Sequence, residues 1–137
     1  MWTTDYRAET PASPEAVWAA LRDLHSGTPL GERSDRFELH GPFEKGTELS
    51  VTPQGQDTFR SRITELLENE VYEDETRFGE TVLRFRHTLV PLANGGTRVT
   101  HRLEIEGEAG PELGPQISED FPAAMSDLLA SAERSAR

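Results

Sequence analysis

The stretch TVLRFRHTLVPLANGGTRVTHRLEIE, residues 81–106, decides the fold. In its first half Leu83, Phe85, His87 and Leu89 alternate with Val82, Arg84, Arg86 and Thr88. In its second half Val99, His101, Leu103 and Ile105 alternate with Arg98, Thr100, Arg102 and Glu104. A period of two sends successive side chains to opposite faces of a strand, so each half reads as a strand with one apolar face. Between them Ala93-Asn94-Gly95-Gly96 is a strong hairpin signal. The chain therefore contains a long antiparallel pair, and both histidines fall in its apolar register.

How the two histidines meet depends on the turn. A three-residue loop centred on Asn94 pairs residues whose numbers sum to an even value. It sets His87 directly opposite His101, with Cα atoms about 4.5–5.5 Å apart. A two-residue Asn94-Gly95 turn without a bulge breaks this parity and turns one histidine outward.

Upstream, Trp2, Thr4, Tyr6 and Ala8 alternate with Thr3, Asp5, Arg7 and Glu9 as a first strand that Pro11 ends. Ser13 is placed to cap a helix with Pro14 at its first position; Val17, Ala20, Leu21 and Leu24 follow at helical spacing, and Gly27 closes it. Residues 27–35 are turn-rich, with room for one further helical turn. Short strands follow at Phe37 and Leu39 and at Leu49 and Val51, separated by the glycine-bounded loop Gly41–Gly46. After a turn at Gln54-Gly55-Gln56-Asp57, Phe59, Ser61 and Ile63 share one face of a strand reaching about Leu67. Residues 71–78 read as an acidic strand, and the cluster Glu68, Glu70, Glu73, Asp74, Glu75 marks a solvated sheet edge. Downstream, Leu113, Ile117, Phe121, Ala124, Met125, Leu128 and Ala132 trace one long helical stripe to the C-terminus. A start capped by Ser118 tolerates Pro122, whereas an earlier start implies a kink. Hairpin-linked strands between helices place the fold in the α+β class, with six to seven strands in one domain spanning 1–137.

Bulk properties bound the function. The chain has 137 residues and a formal net charge of -11, so nucleic acid and anionic membrane surfaces are repelled. It has no cysteine, which excludes disulfides, thiolate metal sites and cysteine nucleophiles and fits a reducing compartment. Neither a signal-like leader nor an apolar run near the roughly 20 residues of a membrane span is present. The expectation is a cytoplasmic monomer or homodimer without integral membrane association.

Four stretches together resemble the SRPBCC superfamily, the START-like helix-grip domains, in its polyketide cyclase/dehydrase-like branch. They are Ala12–Trp18 at the first helix, Gly41–Thr47 between early strands, Leu92–Thr100 at the last hairpin, and the final amphipathic helix with Met125, Leu128 and Leu129. The resemblance implies a curved sheet gripping the C-terminal helix over a hydrophobic cavity. It carries over no catalytic residues, because the superfamily shares none.

Within that frame His87 and His101 are the candidate acid–base residues, able to share a proton or hold a ligand's carbonyl or hydroxyl. Their ordinary role is that of hydrogen-bonded inward histidines. Tyr6, Ser61 and Thr97 are candidate polar contacts, each with an ordinary role as wall or sheet end. Phe59, Phe85, Phe121 and Met125, with Val99, Leu103 and Ile117, would line a ligand cavity or fill a solid core. No third ligand joins the histidines, so no metal is expected, and no cofactor either. The Gly41–Gly46 loop lacks the Gly-Lys-Ser/Thr ending of a phosphate loop, and neither Gly-x-Ser-x-Gly nor His-Glu-x-x-His occurs. Three functions stay open: binding of a small hydrophobic or aromatic metabolite or lipid, a polyketide cyclase/dehydratase using His87 and His101, and a protein-interaction domain.

Overall fold

The computed structural model describes residues 1–30, 34–53 and 55–135. Its elements run β1 (Trp2–Thr10), α1 (Pro14–His25), β2 (Arg36–Leu39), β3 (Glu48–Thr52), β4 (Phe59–Leu67), β5 (Val71–Phe78), β6 (Thr81–Pro91), β7 (Thr97–Glu106), α2 (Gly110–Ser118) and α3 (Phe121–Ser135). All seven strands form one antiparallel sheet in the order β1-β7-β6-β5-β4-β3-β2. β2 to β7 are a continuous meander, and α1 carries the chain between the two edges of the sheet.

The three-residue solution holds at the last hairpin. Leu92 N–H donates to Gly96 O and Gly95 N–H to Leu92 O, at 2.9 and 3.0 Å. Gly95 sits at φ +87°, a left-handed position that glycine takes without a Cβ clash. The register is thereby even, and His87 faces His101. Ser13 caps α1 by accepting a hydrogen bond from Ala16 N–H at 3.2 Å, with Pro14 opening the helix.

Two expectations are corrected. β5 is the middle strand of the sheet rather than an edge, since β1 and β2 are the edges. Its acidity is accommodated on both faces. Tyr72, Asp74 and Thr76 point inward and are buried, while Glu73 and Glu75 face the outer side and meet Arg86 and Arg84. Only Glu68 and Glu70 of that acidic cluster are solvated, in the turn before the strand. The C-terminal stripe, in turn, is two helices broken at Glu119 and Asp120. Pro122 has no N–H to offer a preceding turn, so the second helix begins beside it. The further helical turn expected within 27–35 falls partly on residues 31–33, outside the described residues.

α1 and α3 lie side by side on the inner face, where Val17, Trp18, Leu21, Met125, Leu128 and Ala132 pack with Leu49, Ile63, Tyr72, Leu89 and Val99. A second apolar cluster joins Leu83, Leu103, Ile105 and Phe121 beneath α2. Gly114 of α2 rests so close on the Trp2 ring that a Cβ there would overlap it.

Candidate functional site

The strand register brings Tyr6, His101, His87 and Tyr72 opposite one another across β1, β7, β6 and β5. Four hydrogen-bonding rings thus form one row on the inner face. The His87 and His101 rings stack with centroids 4.0 Å apart, and Phe121, the first residue of α3, stacks on His101 at 3.9 Å. From α1, His25 stacks on Tyr72 at 3.9 Å and meets His87 edge-on at 6.2 Å.

His25 is a site residue that sequence reasoning missed. It lies four residues beyond Leu21 and seven beyond Trp18, so helical spacing already put it on the buried face. Its Nδ1 lies 2.7 Å from Leu21 O and donates to it, which leaves Nε2 as the acceptor of a neutral ring.

Burial dominates the electrostatics of this row. It pushes His25 down to about 4, and His101 down to about 3 with further depression from His25. His87 is driven well below its ordinary value by burial, then by His101 and His25. All three are neutral near pH 7. His87 Nδ1 is fully enclosed and has no hydrogen-bond partner.

Asp74 and Tyr72 were also missed, because the edge assignment placed this strand in solvent. Asp74 is 5 % exposed and accepts a hydrogen bond from the Tyr72 hydroxyl at 2.8 Å. Burial raises its carboxyl to about 7, opposed by that hydrogen bond and assisted by Glu73. Burial and then the neighbouring Asp74 push the Tyr72 phenol well above its usual value. Asp120, directly before Phe121, and Asp35, directly before β2, are both raised by burial, and Asp120 raises Asp35 further.

The remaining anticipated residues separate into two groups. Phe85 leans over His101 at 6.3 Å; Val99 and Leu103 are fully buried on either side of His101, and Met125 is buried on α3. Ile117 packs from α2 into the second cluster. Away from the row, Ser61 is hydrogen-bonded to Thr76, and Thr97 donates to Ala12 O at 2.8 Å, which ties the sheet end to the start of α1. Phe59 meets Phe78 at 5.7 Å beside a broadly open hollow lined by Gly55, Gln56, Asp57 and Thr58. That hollow lies at the opposite end of β4 and β5 from the histidine row, and its lining residues are mostly exposed.

Among the described residues no group of three or more His, Cys, Asp or Glu is placed to hold a metal ion. Nor, among them, is any helix long and apolar enough to cross a membrane.

A curved antiparallel sheet, closed on its inner side by a C-terminal helix and carrying polar rings there, defines a helix-grip protein. The chain belongs to the family described as polyketide cyclase / dehydrase and lipid transport, which it matches over residues 1–136. Among solved structures it is similar to the ZhuI aromatase/cyclase from a Streptomyces species, with a TM-score of 0.78, 14% identity, and coverage of 98% of this chain and 95% of that one. Norcoclaurine synthase from Thalictrum flavum, in complex with dopamine and hydroxybenzaldehyde, gives a TM-score of 0.76 at 16% identity, covering 98% and 87%. A START superfamily protein from Mycobacterium smegmatis gives 0.72 at 18% identity, covering 96% and 97%. At such identities the likeness concerns the fold alone. A search of curated proteins by sequence found no match.

Proposed function

We propose that the chain binds a small hydrophobic or aromatic molecule between the inner sheet face and α3, over the row Tyr6, His101, His87 and Tyr72. The observation that carries this reading is the enclosed, unpartnered His87 Nδ1 amid aromatic rings. A ring nitrogen that served only packing would be expected to find a partner, because an unmet buried polar atom costs about 1–3 kcal/mol. Phe121 covers this region as one aromatic ring covers another, and the helix break beside it is where the inner layer can yield to admit a ligand. Membership of a family described by cyclase, dehydrase and lipid transport agrees with an apolar guest. The cyclase alternative asks His87 and His101 to exchange protons near neutrality, and burial works against it by holding both rings neutral.

The test compares naphthol with its methyl ether by isothermal titration. Wild type should prefer naphthol by about tenfold, the worth of one hydrogen bond to a buried acceptor. His87→Phe should erase that preference and, by removing the unmet nitrogen, raise the melting temperature. Equal preference in both proteins would mean that His87 is a packing residue only.

A further inference from the structure

Asp74 is the one acidic side chain that the strands turn inward, and among the described residues no Arg or Lys of any strand shares that face. Every strand arginine belongs to the outer register, where Arg84, Arg86, Arg98 and Arg102 pair with Glu75, Glu73, Glu9 and Asp5. The Asp74 carboxylate is therefore buried with a phenol for company and no counter-charge from the sheet. A buried carboxylate is tolerated when it is neutral or when a cation reaches it. We infer that the Asp74–Tyr72 end of the row recognises a positively charged nitrogen, and that the ligand is a small aromatic amine.

This inference rests on the binding reading above and specifies its ligand class. Three independent features support it. The ammonium would find the carboxylate at the centre of aromatic faces, Tyr72 beside it and Phe85 directly across the strand pair, and cations favour such faces. The neutral His87, with its unpartnered Nδ1, and His25 offer acceptors and no competing positive charge. Asp120 and Asp35 add negative charge where α3 begins beside the His101 ring, on a chain of net charge -11. A carboxylate or phosphate ligand meets repulsion from these carboxylates.

Protonation adds a distinct signature. Tyr72 donates to Asp74, and Glu73, its neighbour on the outer face, is the other charge that reaches it; His87 from β6, His101 from β7 and His25 from α1 belong to the Tyr72 row on the same inner face. The three histidines of the row stay neutral down to about pH 4, whereas Asp74 beside them changes charge near neutrality. An amine binds the carboxylate form; as pH falls below about 7 that form must first be regenerated, and affinity drops.

The experiment titrates naphthylethylamine, naphthylethanol and naphthylacetate into the whole protein at pH 7.5, with uptake of the neutral dye Nile red measured in parallel. The amine should bind about tenfold more tightly than the alcohol, with the carboxylate weakest, as expected for one charge-assisted contact. Asp74→Asn should remove the amine's advantage over the alcohol. Should that variant not fold, the wild type still decides: amine affinity should fall by up to about tenfold per pH unit below 7, with alcohol affinity level. Equal binding of amine and alcohol, or tightest binding of the carboxylate, overturns the amine inference while leaving the binding reading in place. Failure of all three compounds and of Nile red overturns the pocket reading and this inference together.

Discussion

His25, His101 and Asp74 pull the stability of this protein in opposite directions as pH changes. The histidines titrate at about 4 and about 3 in the folded chain, against 6.5 when unfolded. Between pH 6.5 and 4 the unfolded chain takes up protons that the folded one refuses, so their contribution to stability is lost as pH falls. Asp74 behaves in reverse. Its folded carboxyl holds a proton from about pH 7 downward and its unfolded one only from about 3.8, so its contribution to stability grows as pH falls through that window. Asp74→Asn can still accept from Tyr72 but carries no charge to bury. It should be more stable than wild type at pH 8, and the difference should shrink towards pH 5. Urea denaturation at the two pH values measures this, and an unchanging offset would contradict a raised carboxyl.

At the level of elements, what was legible in the sequence follows from which signals are local. The β6–β7 pairing was readable because turn chemistry and strand parity both reside within residues 81–106, and the structure keeps the His87–His101 pair they define. The position of β5 was not readable from its composition. It is set by the meander from β2 to β7, whose ends are closed by β1 on one side and β2 on the other, leaving β5 interior whatever its charge. Once β5 is interior, the alternation Tyr72, Asp74, Thr76 identifies its inward face at once. His25 was overlooked because it ends its helix, although its spacing from Leu21 already gave the face. Pro122 warned of an interruption near the start of the C-terminal stripe but did not give the break between α2 and α3, and only packing shows why α2 persists. Its Gly110 and Gly114 let the helix lie flat on Trp2. Gly114→Ala should lift α2 from that ring and lower the melting temperature by several degrees, despite the higher helix propensity of alanine. A neutral or stabilising substitution would show that the contact yields readily.

Over the whole molecule, charge is sorted by face. The outer face carries interleaved pairs in which Arg84 bridges Glu75 and Glu106 and Arg102 bridges Asp5 and Glu104. The directly opposed Arg86 and Arg102 are tolerated because each has acids of its own. Such solvent-facing pairs are worth about 0.2–1 kcal/mol, whereas truncating a buried aromatic costs about 3–5 kcal/mol. Arg102→Ala should therefore lower the unfolding free energy by at most about 1 kcal/mol. Phe121→Ala, which strips the ring from His101, should lose several times as much by chemical denaturation. The reverse ranking would place the stability of the sheet in its outer charges rather than in its inner rings.

The ring row joins Tyr6 on the first strand to His101 on the last. During synthesis β1 leaves the ribosome first, yet it stays without its neighbour until the last strand has emerged. The ring row is thus closed by a pairing between residues 95 positions apart in sequence, and such distant pairings form slowly. A nascent chain halted anywhere inside the meander has its hairpins but not the completed row of rings.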